Sequence, residues 1–208
     1  MRLASVGHMS ASSSLHRASG TWLRAGIVAV AFVALLWVLE VVDTAANHRL
    51  DELGVQPRDN DGLIGILFAP ALHYGWDHLG ANTLPVLVLG FLVLASGLAR
   101  GLAATAIIWL VGGLGTWLVA PTYTIHLGAS VLVFGWLVYL VLRGFFARRT
   151  GEIVIGVVLL VAYGSLLWGV LPGQPGISWQ GHLFGAIGGG IAAWSLRGHT
   201  RHGARSRP

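Results

Sequence analysis

The chain contains no cysteine and no lysine among its 208 residues, and charged residues make up only 10% of it. Without cysteine, the protein can form no disulfide framework and has no thiol nucleophile. An ordinary soluble domain carries roughly 25% charged residues. The shortage of charge, together with a hydrophobic content of 55%, argues against a soluble domain and predicts a polytopic membrane protein.

Three long stretches carry no charged residue at all, namely residues 78–99, 101–142 and 153–196. A membrane-spanning helix needs about 20 apolar residues, so these stretches accommodate one, two and two helices. Residues 22–42 add one more. The predicted fold class is therefore an all-α membrane protein with six transmembrane helices, at about residues 22–42, 76–99, 102–119, 127–146, 153–171 and 179–196. Residues 1–20 are expected to form an N-terminal tail, residues 21–197 the membrane domain, and residues 198–208 a basic C-terminal tail.

The arginines indicate the orientation of this bundle. With the N-terminus in the cytoplasm, all arginines except Arg49 and Arg58 fall on the cytoplasmic side, and most acidic residues fall on or near the outer side. This is the positive-inside pattern, and it predicts that both termini are cytoplasmic, in a membrane that we expect to be a bacterial inner membrane. It also accounts for the sequence pI of about 10.7, so a nucleic-acid partner is not favoured. No internal repeat is visible, and a transporter built on inverted repeats is therefore not supported.

Polar residues inside membrane helices are costly and usually functional, and the second predicted helix carries two of them. His78 and Asn82 are four residues apart, so they project from one helix face about 6 Å apart. An imidazole and an amide placed this way can stabilise an oxyanion. Alternatively, His78 caps the helix at the interface and Asn82 bonds a neighbouring helix.

Ser130 lies at the start of the fourth predicted helix, two residues after Gly128, and His182 lies at the start of the sixth, followed by Gly185 and Gly189. Taken alone, the serine would bond back to its own helix, and the glycines would form a packing seam. However, helices two, four and six all begin at the outer face, so these polar residues share a depth of roughly 5–10 Å. A nucleophile, a base and two oxyanion donors are the parts needed for acyl transfer. No acidic residue is placed to orient His182, so the sequence predicts a Ser–His dyad.

These motifs resemble those of the rhomboid family of intramembrane serine proteases over about residues 62–190. The similarity rests on three patterns, in order along the chain: His73, His78 and Asn82; then Gly128-Ala129-Ser130-Val131; then His182, Gly185 and Gly189.

The resemblance implies a function. Ser130 would be the nucleophile and His182 the general base. His78, Asn82 and the Ser130 backbone N–H would form the oxyanion hole, beside Gly128 and with His73 in support at the mouth of helix two. The implied partners are transmembrane protein substrates and the lipid bilayer, and neither a cofactor nor a metal is implied. Residues 153–179 would gate access, and the loop around residues 63–68 would dip into the membrane.

Two positions depart from the family pattern. Val131 stands where a glycine usually follows the nucleophile, and its branched side chain is expected to narrow the substrate site or to slow acylation. Phe134 stands where many members have tyrosine, and its ring is expected to pack on His182. The alternative to a protease is a catalytically weak or inactive rhomboid-like protein that binds transmembrane clients.

Overall fold

A computed structural model describes residues 6–197, with side-chain surroundings from residue 19 onward. This part of the chain contains seven α-helices and four short 3-10 helices. The α-helices are α1 (Val6–Ala45), α2 (Gly65–Phe68), α3 (Gly75–Ala95), α4 (Leu98–Val119), α5 (Ser130–Ala147), α6 (Thr150–Tyr163) and α7 (Trp179–Ser195). The described residues form no β-strand, only one isolated antiparallel bridge between Val55 and His126. The all-helical prediction is confirmed.

Five segments are long and apolar enough to cross a membrane: Ser19–Ala45 within α1, then α3, α4, α5, and Thr150–Val170, in which a 3-10 turn extends α6. The sixth predicted span, α7, has 17 residues. At 1.5 Å per residue it is about 26 Å long, somewhat short of the roughly 30 Å hydrocarbon core. The count of six spans and the placement of the termini therefore stay predictions.

The helix α1 begins at Val6, inside the segment expected to be an N-terminal tail. The predicted C-terminal tail, residues 198–208, lies outside the described residues. Between α1 and α3 the chain makes 3-10 turns at Arg49–Leu53, Asp61–Leu63 and Ala69–Ala71, with the single turn of α2 between the last two. Ile64 and Leu67 in this loop are 58% and 63% exposed, as apolar side chains facing lipid would be.

The helix α5 is the centre of the bundle, and half of its 18 residues are buried. By contrast, only 11% of the most apolar 18 residues within Thr150–Val170 are buried. The helix α7 approaches α5 closely because glycines line the contact. A side chain at Gly185 would overlap the Val131 carbonyl, and one at Gly189 would overlap the Gly135 carbonyl. This contact brings the first residue of α5 next to the first turn of α7, where the candidate residues lie.

Candidate active site

Ser130 and His182 are 52 residues apart in sequence, and their side chains meet between α5 and α7. Ser130 is the first residue of α5, and His182 is the fourth residue of α7. The distance from Ser130 Oγ to His182 Nε2 is 2.9 Å, which is hydrogen-bond distance. His182 is only 7% exposed. The pair therefore has the arrangement of a nucleophile and its base.

The second ring nitrogen of His182 fixes the orientation of the imidazole. Nδ1 lies 2.9 Å from the carbonyl oxygen of Gly169, in the 3-10 turn that extends α6. A carbonyl can only accept, so Nδ1 carries the proton and Nε2 is left to accept the hydroxyl proton of Ser130. The Phe134 ring stacks on the imidazole, with centroids 4.0 Å apart and planes 9° from parallel.

His78 presents an N–H to the space beside Ser130. Its Nδ1 accepts the backbone N–H of Tyr74 at 3.3 Å, so the ring proton is on Nε2. A methyl group at Gly128 would lie 2.9 Å from that Nε2 and 3.6 Å from Ser130 Oγ, which shows how closely the imidazole approaches the loop that leads into Ser130. Gly128 also has φ +123°, a conformation that other residues rarely adopt. Position 128 therefore requires glycine for two independent reasons.

Asn82 lies one helical turn after His78, is 6% exposed and lines the same cavity. Its amide donates to the His78 carbonyl at 2.9 Å. An amide group has two N–H bonds, so one remains for a ligand. The structure thus brings Ser130, His182, His78 and Asn82 around one space.

His73 lies outside that space. Its ring is 2% exposed, packs edge-on against His78 with centroids 5.1 Å apart, and accepts the backbone N–H of Ala129 through Nε2 at 3.3 Å. Burial, and to a smaller extent His78, lower the pKa of His73 to about 3. The neutral ring therefore supports the loop that leads into Ser130 and does not line the cavity.

The Val131 side chain points into the contact between helices. A methyl group at Gly112 of α4 would overlap Val131 Cγ2, and one at Gly185 of α7 would lie 3.2 Å from the same atom. Val131 does not line the cavity shared by His78, Asn82 and His182, but together with Ser130 it lines a separate cavity of about 30 Å³. The glycine in α4 provides the room that this branched side chain needs.

No role was predicted for His126 from the sequence. In the structure it links the loop before α5 to Ser178, the residue that precedes α7. Thr124 Oγ1 donates to the Pro121 carbonyl at 2.6 Å, so it accepts from His126 Nε2 at 2.8 Å. His126 Nδ1 then accepts from Ser178 Oγ at 2.7 Å, and Ser178 in turn accepts the Gly181 N–H at the start of α7. Burial lowers the pKa of His126, which favours the neutral ring that this chain of bonds requires.

His126 and Gly169 differ in how far the sequence could have identified them. The only signal for His126 was its position four residues before the serine. Gly169 contributes a main-chain carbonyl, which every residue has, and so had no signal at all.

The cavity around these groups has a volume of about 550 Å³, within the range of ligand-binding sites. It is lined by both polar and apolar groups, among them His78, Asn82, Ser130, Phe134, Trp168 and His182. No acidic side chain from the described residues lines it. The chemistry available there is that of hydroxyl, imidazole and amide groups.

The rhomboid domain family matches residues 60–199 of the chain. An uncharacterized protein of Mycobacterium tuberculosis and one of Mycobacterium bovis are each 49% identical to it over 200 residues, covering 89% of this chain and 83% of the relative. An uncharacterized protein of Mycobacterium leprae is 46% identical over 188 residues, covering 86% of this chain and 74% of the relative. No solved structure matches the chain.

Proposed function

The chain belongs to the rhomboid family, and we propose that it is a serine endopeptidase that hydrolyses peptide bonds in or near the membrane-spanning segments of other proteins. The observation that carries the proposal is the 2.9 Å contact between Ser130 Oγ and His182 Nε2 in a largely buried site. Five apolar helices make the chain an integral membrane protein, and the mycobacterial relatives indicate a bacterial one.

The proposed reaction is acyl transfer in two steps. Ser130 Oγ attacks the carbonyl carbon of the substrate while His182 Nε2 takes the hydroxyl proton. His182 then gives that proton to the leaving amine as the C–N bond breaks, and an ester between Ser130 and the substrate remains. A water molecule, deprotonated by the same imidazole, hydrolyses the ester and restores the serine.

In the proposed reaction, three donors stabilise the oxyanion that forms during attack. They are the Nε2–H of His78, the free amide N–H of Asn82, and the backbone N–H of Ser130 in the first turn of α5. First-turn amides have no acceptor within their helix, and the positive end of the helix dipole favours an anion there. Removing one such donor typically reduces kcat by about 10²–10³-fold.

A carbonyl replaces the carboxylate that usually orients a catalytic histidine. Gly169 holds Nδ1–H of His182 and also faces the positive charge that develops on the imidazolium. Phe134 presents its negative ring face to the same cation. The pair can therefore act as a dyad without a third ionised residue.

The proposed substrates are transmembrane proteins, and the proposed location is the bacterial cell membrane with the site towards the outer face. The cavity is bordered by α3, α5 and α7 and by the turn that extends α6. Its polar groups lie at the starts of α3, α5 and α7. To bring a peptide carbonyl to Ser130 in this cavity, a substrate helix would have to unwind locally.

The test is labelling of the purified protein with a serine-reactive fluorophosphonate, together with cleavage of model transmembrane substrates. Ser130→Ala and His182→Ala should each reduce turnover by about 10⁴-fold or more, and Ser130→Ala should abolish labelling. Ser165→Ala is the matched control, since this exposed serine lines the same cavity and its loss should leave labelling intact. A wild type that neither labels nor cleaves would indicate the client-binding alternative, and labelling that survives Ser130→Ala would refute the assignment of the nucleophile.

A further inference from the structure

A second cluster of polar side chains lies where α1 ends and the following loop begins, and the proposed reaction makes no use of it. Ligand atoms of Asp43, His48 and Asp51 all lie within 4.8 Å of one another. Asp43 is 2% exposed, accepts the backbone N–H of Leu50 at 2.7 Å, and contacts His48 Nδ1 through its other oxygen at 3.1 Å. The cluster therefore joins the last turn of α1 to the 3-10 helix Arg49–Leu53.

A third carboxylate lies beside this cluster without a hydrogen-bond partner. Glu40 lies one helical turn before Asp43 and is 2% exposed, and it interacts electrostatically with Asp43, Asp51 and His48. Glu40 Oε1 and Asp51 Oδ1 are buried atoms with no hydrogen-bond partner in the described part of the chain. Buried unpaired carboxylates are strongly unfavourable, so these two oxygens indicate a group that they can bind.

The charges of the cluster do not balance. Three carboxylates face one imidazole, and among the described residues only His48 makes an ion pair with any of them. The negative charge of the three carboxylates therefore lacks a full counterion. A bound cation would supply that counterion.

The donor atoms suit a particular class of cation. His48 Nδ1 and Asp43 Oδ2 lie 3.1 Å apart as a hydrogen-bonded pair, and the ~3.3 Å between two ligand atoms of a tetrahedral zinc ion is near enough for an ion to replace that bond. Imidazole nitrogen suits transition metals, whereas Ca²⁺ and Mg²⁺ take oxygen ligands. We propose that Asp43, His48 and Asp51 bind one Zn²⁺ or Mn²⁺ ion, with Glu40 completing the negative charge around it.

This ion would fasten the loop that supports the candidate active site. Binding would replace the contact between His48 and Asp43 by two bonds to the metal, and so hold Arg49–Leu53 against α1. Two residues further on, Val55 exchanges backbone hydrogen bonds with His126, at 2.8 and 3.0 Å. The proposed site is separate from the catalytic pair, and the proposal does not depend on the proteolytic activity.

The test uses the purified protein, stripped with a chelator and titrated with ZnCl₂, MnCl₂ or CaCl₂ by calorimetry. Two variants remove ligands with little disturbance. His48→Asn keeps a residue type that tolerates the observed φ of +60°, and Asp43→Asn keeps an oxygen for the Leu50 N–H. The control is Asp61→Asn, which removes an exposed carboxylate from the same loop.

The wild type and Asp61→Asn should bind one ion with equal affinity. The affinity of His48→Asn and of Asp43→Asn for that ion should be lower by at least about tenfold. Ions bound at other histidines persist in all four proteins and cancel in the comparison. The Tm should rise with added Zn²⁺ in the wild type and rise less in both variants.

Equal binding in all four proteins would overturn the proposal, and so would a preference for Ca²⁺ over both transition metals. His48 is 53% exposed at its side chain, so its variant is expected to fold even if Asp43→Asn does not.

Discussion

At the scale of single residues, the main-chain carbonyl of Gly169 orients the His182 imidazole. Gly169 is therefore a positioning residue. The carbonyl sets the tautomer, and the small residue leaves room for the ring. A Cβ atom at position 169 would lie 2.9 Å from Phe134 Cζ, closer than real Cβ atoms approach, and 3.0 Å from His182 Nδ1, which is also a tight contact. The imidazole would then have to move.

Gly169→Ala should therefore lower kcat by about 10–100-fold, since a displacement of about 1 Å in a reacting group has an effect of that size. The measurement is the cleavage rate of a model transmembrane substrate, resolved into kcat and KM, with the rate of fluorophosphonate labelling. The control is Gly164→Ala in the same turn, where the new methyl group would lie an ordinary 3.6 Å from Leu160 Cδ1. If both variants cleave at the wild-type rate, the Gly169 carbonyl does not control the base.

Val131→Gly introduces the residue that the family usually has at this position. The structure nevertheless predicts a loss of stability and no gain in cleavage rate. The side chain fills space between Gly112 and Gly185, so its removal should reduce stability by about 1–3 kcal/mol and leave kcat unchanged. Thermal unfolding in detergent and substrate cleavage measure the two effects. A faster enzyme would mean that the valine restrains acylation after all.

A double variant checks the packing explanation for Val131 directly. Gly112→Ala alone should destabilise the protein, because its methyl group would overlap Val131 Cγ2. In the double variant with Val131→Gly, that overlap disappears, and the combined loss should be smaller than the sum of the single losses.

At the scale of elements, the contact between α5 and α7 decides whether Ser130 and His182 meet. The two helices approach to backbone distance along Val131 and Gly135 on one side and Gly185 and Gly189 on the other. A larger residue in this contact would separate the helices along their whole length. Ser130 and His182 lie at one end of the contact, so a shift of the helices changes the distance between these two side chains.

Gly189→Ala should lower both stability and activity, because the methyl group would overlap the Gly135 carbonyl and lie 2.9 Å from the carbonyl carbon. Overpacking of this kind costs about 1–3 kcal/mol. The matched control is Gly190→Ala, where the nearest atom is Leu142 Cδ1 at 3.8 Å. Unfolding temperature and kcat measure the difference, and equal behaviour of the two variants would contradict the importance of this seam.

At the scale of the whole molecule, the positions of the arginines predict how the bundle lies in the membrane. The loop between α1 and α3 should face the outer side, and the turn between α5 and α6 should face the cytoplasm. The chain has no cysteine, so a single introduced cysteine can report on the location of either segment without labelling of a native thiol.

Asn60→Cys and Thr150→Cys place one thiol on each of these two exposed segments. In intact cells, a membrane-impermeant maleimide should label the first and not the second, and both should react once the cells are permeabilised. Retained substrate cleavage would show that the variants are folded. Labelling of Thr150→Cys alone would reverse the orientation and place the candidate site at the cytoplasmic face.

The sequence determined the helical membrane class, because runs of uncharged residues in this chain are long enough to cross a bilayer only as helices. The order of the motifs also pointed to Ser130, His182, His78 and Asn82 as one group, since alternate helices begin on the same side. The number of membrane-spanning helices and their orientation were also inferred from the sequence, and they stay predictions.

Tertiary structure alone decided the remaining features. The carbonyl of Gly169, the bonds of His126, the direction of the Val131 side chain and the cluster around Asp43 all join residues from separate elements. Such contacts depend on how closely helices pack and on where loops turn. The hydrophobic pattern of the sequence predicts which segments cross the membrane. It does not predict which main-chain carbonyl or which glycine will lie opposite a given side chain.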